Sequence, residues 1–112
     1  MGAFAEYEQY DGVGLANLIR NGEIKAVDVR EEAISRAEAL NPNINAIITP
    51  LYEYARKASE VLPVNGSFSG VPFLLKDAHH ALKGATLSYG SALLKQNVAE
   101  IDENHQAIDS DF

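Results

Sequence analysis

Apolar residues recur three and four positions apart in several stretches of the chain's first half. Positions with this spacing share one face of an α-helix. The pattern therefore predicts three helices, over residues 11–20, 26–40 and 51–62. Asp11 is a good N-cap for the first helix, and Gly22 suits the left-handed backbone that follows a helix end. The second helix is expected to stop at Asn41, because a residue that precedes proline resists helical angles.

Two shorter apolar runs lack helical spacing and are typical of buried β-strands. One is NAIIT at residues 45–49, and the other is VPFLLK at residues 71–76. The resulting order of elements is helix, helix, strand, helix, loop, strand. This order predicts an α/β fold, in which helices pack as a layer on a sheet.

Charge excludes some classes of partner. The chain of 112 residues has 9 basic and 16 acidic side chains and a net charge of -7. Nucleic acids and anionic membrane surfaces are poor partners for such a chain, because both require a basic face. No apolar run approaches membrane-spanning length, so a membrane location is not expected.

The absence of cysteine excludes disulfides and thiolate metal sites and fits a reducing compartment. The N-terminus carries Glu6 and Glu8 and has no basic region, so it does not have the pattern of a secretory signal. We therefore expect a cytoplasmic protein.

His79, His80 and His105 lack the spacing that brings ligands together on one face, and no metal site is predicted.

Lys76 is the strongest candidate for a catalytic role, because it ends the apolar run of the second predicted strand. Open α/β sheets place functional groups at strand ends. Burial disfavours a charged ammonium group, and a neutral lysine can act as a general base. The alternative is structural: Lys76 pairs with a carboxylate, such as Asp77, and closes the strand.

The sequence resembles the N-terminal part of the amidase signature family over most of its length. The stretch SGVPFLLKDAHHALKGATLSYGSALL carries the most specific likeness, to the family pattern G-V-P-x-x-x-K-D followed by G and T-x-x-G-S. The resemblance implies a larger mixed sheet with helices packed on it, to which this chain would contribute the N-terminal helices and the first strands. It also implies hydrolysis of carbon–nitrogen bonds in small-molecule amides, without a cofactor or a metal.

In this family the catalytic triad is a serine, a second serine in a cis peptide and a lysine, and that lysine corresponds to Lys76. The glycine- and serine-rich stretch that holds both serines has no counterpart in these 112 residues. Ser67, Ser69, Ser88 and Ser91 lie near Lys76 in sequence, but none has a nucleophile motif. The chain is therefore expected to be an N-terminal fragment that is inactive alone and self-associates through exposed apolar faces.

Two other interpretations remain open at the level of sequence. The parent protein could be the A subunit of a glutamyl-tRNA amidotransferase, in which released ammonia passes to a partner's substrate. Alternatively, the chain could be a short α/β module that binds a partner and carries no chemistry. A serine- and glycine-rich stretch encoded after Phe112 would favour the enzyme over the module.

Overall fold

The structure is a computed structural model that describes residues 4–60, 66–78 and 80–100. The chain divides into two compact units, Met1–Pro72 and Phe73–Phe112. The described residues of the first unit form a 3₁₀ turn and three helices, and those of the second unit form one further 3₁₀ turn. Their bounds are Tyr7–Gln9, α1 Gly12–Arg20, α2 Ala26–Ile44, α3 Tyr52–Ser59 and, in the second unit, Ala92–Leu94.

Local side-chain chemistry sets both ends of α1. Asp11 caps its start as expected, because its carboxylate accepts a hydrogen bond of 2.7 Å from the backbone N–H of Gly14. At the other end, Gly22 has a φ of 75° and donates to Ile19, and Glu23 donates to Leu18. This pair of bonds is a Schellman motif, which satisfies carbonyl groups that the last turn would otherwise leave open.

The core of the first unit lies where α1 and α2 meet the N-terminal segment. Phe4, Leu15 and Val29 form this core, and Val29 is fully buried. Val29 belongs to the apolar stripe that the sequence assigns to α2. The partly buried hydrophobic residues around the core are Tyr7, Leu18, Ile19, Ile24 and Val71.

The predicted end of α2 at Asn41 is wrong, because the helix continues through Pro42 to Ile44. Pro42 lies in the last turn, where few backbone bonds depend on it. The helix ends instead at Asn45, which is left-handed with a φ of 50° and whose N–H donates to Asn41. At its start, Lys25 occupies the cap position without a side-chain hydrogen bond.

The strand expected at residues 45–49 is absent, and Asn41 supplies the reason. Its side-chain amide donates to the carbonyl of Ile47 and accepts from the N–H of Ile47, both at 2.8 Å. A side chain thus takes the two backbone groups that a neighbouring strand would need. The middle of the predicted strand is therefore closed to ladder pairing.

The second expected strand, residues 71–76, is extended but pairs with no other strand among the described residues. Phe73 is 64% exposed and Leu74 is 76% exposed, so the run is not buried as its composition predicts. A strand needs a hydrogen-bonding neighbour, and the described residues offer none. They therefore do not form the predicted mixed sheet, and their regular structure is helical.

Within residues 73–78 and 80–100 of the second unit, pairing is limited to one antiparallel bridge, between Thr86 and Val98. The flanking backbone bonds join Gly84 and Ala85 to Ala99, at 2.9 and 3.0 Å, and Leu87 to Asn97 at 2.9 Å. Of these described residues, Ala81, Leu87 and Ser88 are buried. The third helix, predicted over residues 51–62, forms as α3, and Glu60 occupies its C-cap position. Residues 61 and 62 lie outside the described residues.

Candidate active site

Lys76 lies at the end of the extended segment, directly before a bend at Asp77 and Ala78. Its side chain is exposed, so the buried position expected for a base is wrong for this chain. Within the described residues, Lys76 makes no ion pair and no side-chain hydrogen bond, so the structural alternative, a pairing with Asp77, is not formed either. The physical reason is the missing ladder, because the described residues supply no neighbouring strand to cover the end of the segment.

Asp77 is the residue around which this part of the second unit is organised. Its Oδ1 accepts a bond of 2.6 Å from the N–H of Ser88, and its Oδ2 accepts one of 3.2 Å from the N–H of Gly90. The hydroxyl of Ser88 also donates to Oδ2. These hydrogen bonds, first of all those from Ser88, hold the pKa of Asp77 below its ordinary value of 3.8.

The serines near Lys76 in sequence are already engaged in other bonds. Ser88 is buried and donates its hydroxyl to Asp77. The hydroxyl of Ser91 accepts from the N–H of Leu93 at 3.3 Å and so caps the 3₁₀ turn. Neither residue bonds to Lys76 among the described contacts, so the structure gives neither one a base.

Ser67 and Ser69 belong to the first unit, where they line a cavity of about 420 Å³. Arg20 is the cationic residue of this lining, and its guanidinium is occupied by Asn17 and by the carbonyl of Ser67. The guanidinium of Arg20 is therefore already engaged, and Glu60 is the acidic residue of the lining. The lining is made up of Ala16, Ile19, Arg20, Ala26, Ser59, Glu60, Gly66, Ser67, Ser69 and Gly70.

The histidines do not form a metal site in the described part of the chain. Nδ1 of His80 lies 2.9 Å from the carbonyl oxygen of Ala78, which fits an N–H donor bond. His79 and His105 lie outside the described residues, as does the acidic tail. Over residues 4–60, 66–78 and 80–100, no three acidic or histidine side chains gather around a point that could hold a metal ion.

Sequence reasoning did not identify the bonds between Asp77 and residues 88–90. From the sequence alone, Asp77 is interpreted as a carboxylate partner for Lys76 and as part of the Lys-Asp pair of the family pattern. The available signal was the sequence Ser88-Tyr89-Gly90-Ser91, a turn whose backbone N–H groups need an acceptor. An aspartate eleven positions earlier supplies that acceptor.

Comparison with known proteins identifies the class. Residues 28–105, more than half of the chain, match the family model described as Amidase. The match includes Lys76, Asp77 and the turn at residues 88–91. The chain belongs to the amidase family.

Particular relatives show how much of a whole enzyme the chain represents. It is 48% identical over 67 residues to a 6-aminohexanoate-cyclic-dimer hydrolase of Pseudomonas sp. (strain NK87), covering 60% of this chain and 13% of that protein. It is 33% identical over 96 residues to a lipoamidase of Enterococcus faecalis, covering 85% of this chain and 13% of that protein.

A solved structure gives the same picture in three dimensions. The structure of 6-aminohexanoate cyclic dimer hydrolase complexed with substrate superposes with a TM-score of 0.79 at 36% sequence identity. The superposition covers 88% of this chain and 20% of that one. The chain thus spans a fifth or less of the length of these relatives and has the fold of the matching part.

Proposed function

We propose that the protein to which this chain belongs hydrolyses carbon–nitrogen bonds in amides. The family match over residues 28–105, which includes the Lys-Asp pair at 76 and 77, is the observation that carries the proposal. The proposed substrates are small-molecule amides. The relative named for a cyclic dimer of 6-aminohexanoate makes that amide a reasonable first test compound.

In the proposed mechanism, Lys76 is the base of a Ser–cis-Ser–Lys triad. Its neutral amine takes a proton from the bridging serine, which in turn takes one from the nucleophilic serine. The serine oxygen attacks the amide carbonyl, the carbon–nitrogen bond breaks, and the amine leaves with the proton. Water then attacks the acyl-enzyme, and release of the acid restores the serine.

The exposure of Lys76 bears on how this triad would be assembled. A lysine surrounded by water stays charged and cannot take a proton, so the base needs cover. We propose that residues 71–76 become a strand of a mixed sheet when the remaining part of the amidase domain pairs with them. The apolar Phe73 and Leu74 and the unpaired extended backbone support this step.

The test compares the 112-residue chain with the full-length protein. The full-length enzyme is expected to open the cyclic dimer to a linear dimer with a free amine and a free acid, and the chain alone is expected to leave the ring intact. Lys76→Ala in the full-length protein should lower kcat by about 10³-fold or more, since triad members act as a unit. Lys95→Ala, which removes an exposed lysine of the same unit, is the control. Robust, Lys76-dependent hydrolysis by the chain alone would contradict the assignment of the serines.

We also propose a cytoplasmic location and self-association of the isolated chain. The location rests on the absence of cysteine, which fits a reducing compartment. Among the described residues, no helix has both the length and the apolarity needed to cross a bilayer. Self-association rests on exposed apolar side chains, of which Phe73, Leu74 and Leu93 are the most prominent in the second unit.

A further inference from the structure

The carboxylate of Asp77 lies against a tight turn at residues 88–91. The carbonyl of Ser88 accepts a bond of 2.9 Å from the N–H of Ser91, which closes the turn. The two central residues, Tyr89 and Gly90, have φ values of 53° and 71°. Left-handed backbone at both positions is the mark of a type I′ turn.

This turn requires outside support because Tyr89 is a poor residue for it. Type I′ turns favour glycine, asparagine and aspartate at their centre, since a larger side chain crowds the following carbonyl. Left-handed backbone at a bulky residue persists where the surroundings hold it from several sides. Here Asp77 accepts from the N–H of Ser88 and of Gly90, on either side of Tyr89, and from the hydroxyl of Ser88.

We propose that Asp77 is a positioning residue for Lys76, and that its carboxylate fixes the backbone on which the lysine stands by binding the turn at residues 88–91. The two residues share a planar peptide bond, so fixing the position of Asp77 also restricts the backbone conformations open to Lys76. Strand pairing proposed for residues 71–76 would hold the lysine from the preceding side, and the bonds of Asp77 to the turn hold it from the following side. The proposal rests on the proposed amidase function.

The anchor can be tested in the 112-residue chain without any activity. Hydrogen exchange of the Ser88 and Gly90 amides, followed by NMR, should be slow in the wild type and about 10-fold or more faster in Asp77→Ala. Asp77→Asn keeps one acceptor oxygen and should fall between the two. Glu100→Gln removes an exposed carboxylate of the same unit and should leave both rates unchanged. Unchanged protection in Asp77→Ala would overturn the proposal.

The positioning role is tested by kinetics of the full-length protein. Asp77→Ala should lower kcat by about 10-fold to 100-fold with little change in KM, because a misplaced base slows chemistry more than binding. Asp77→Asn should restore part of the loss, and Ser88→Ala, which removes one of the three bonds, should cause a smaller loss. A purely structural role would lower thermal stability and leave kcat unchanged below the unfolding range.

The outcomes separate this proposal from the one on which it rests. A full-length wild-type protein without amidase activity would refute the proposed function and the positioning role together. An active wild type in which Asp77→Ala keeps its kcat would refute the positioning role alone. Faster amide exchange combined with a lower kcat, and partial rescue of both by Asp77→Asn, would establish it.

Discussion

Tyr89 has a backbone conformation that its residue type disfavours, and this makes it a probe of Asp77. If the carboxylate holds the turn against local strain, Asp77→Ala should cost less free energy of unfolding when residue 89 is glycine. A double-mutant cycle of Asp77→Ala with Tyr89→Gly, measured by denaturant unfolding, reports this coupling. The same cycle with Glu100→Gln in place of Asp77→Ala should be additive. Additivity in the first cycle would mean that the two residues act independently.

Glu32 is a buried carboxylate, 5% exposed, that joins the N-terminal segment to α2. It accepts from the N–H of Phe4 at 3.3 Å and from Arg36 at 2.6 Å. The same arginine also pairs with Glu8, whose side chain is 77% exposed. The two carboxylates therefore share a partner but differ in burial.

We predict that Glu32→Ala lowers the melting temperature by several degrees, because it leaves the buried N–H of Phe4 without its acceptor and removes one of the two carboxylates that bind Arg36. Glu8→Ala should change the melting temperature little, since exposed ion pairs contribute weakly. Differential scanning calorimetry of the two variants provides the comparison. Equal effects would show that burial does not decide the strength of these pairs.

At the scale of elements, the end of α2 depends on Asn41. Its side chain makes both bonds to Ile47, so Asn41→Ala should destabilise the first unit by about 1–3 kcal/mol. Asn43→Ala removes an exposed amide one position beyond Pro42 and should cost little. Denaturant unfolding of both variants measures the difference. A similar cost for both would mean that helix propensity, and not the Ile47 contact, explains the loss.

The packing of α3 on α2 has an acid-sensitive component. Glu31 accepts from Arg56 of α3 at 3.1 and 3.0 Å and from Arg30 at 2.8 Å. The hydrogen bonds from Arg56, and then those from Arg30, lower the pKa of Glu31 from its ordinary value of 4.5. A carboxyl group whose pKa is lower in the folded state contributes stability above its unfolded pKa and loses it as pH falls through the folded one.

We therefore predict that the stability difference between wild type and Glu31→Gln is present at pH 7 and is lost as the pH falls below 4.5 and through the lowered pKa of the folded state. Unfolding by urea across this pH range measures it. Glu38→Gln, which neutralises an exposed carboxylate on the same helix, is the control and should track the wild type throughout. A difference that grows on acidification would contradict the sign of this linkage.

Both ends of α1 follow from the sequence because their interactions are local. Asp11 reaches Gly14 three positions away, and Gly22 closes α1 with residues a few positions back. The strands do not follow, because a ladder depends on residues far along the chain. In residues 45–49, the side chain of Asn41 hydrogen-bonds to the backbone of Ile47, and no periodic pattern in the sequence predicts that contact.

For the whole molecule, the covered position expected for Lys76 requires partners that the described part of this chain does not supply. The motif around Lys76 was sufficient to predict the amidase family, and the match over residues 28–105 confirms it. The motif could not predict the exposure of Lys76, because burial is a property of the assembled domain. The family can thus be predicted from a short motif, whereas the burial of the lysine depends on residues far away in the sequence.

Self-association of the isolated chain is expected on the same grounds. Light scattering should give a mass above that of one chain, and Leu74→Glu should reduce it by placing a charge on an exposed apolar side chain. Val13→Glu, at an exposed apolar position in the first unit, is the matched variant. A wild-type mass equal to one chain would contradict this prediction.

Two glycines with similar backbone angles have very different surroundings. Gly70 has a φ of 88°, and a Cβ there would meet the Cβ of Ala26 at 3.0 Å and a methyl carbon of Ile19 at 3.2 Å. Gly22 has a φ of 75° but opens onto empty space. A saturation library selected for folded protein should therefore recover asparagine beside glycine at position 22, and glycine almost alone at position 70.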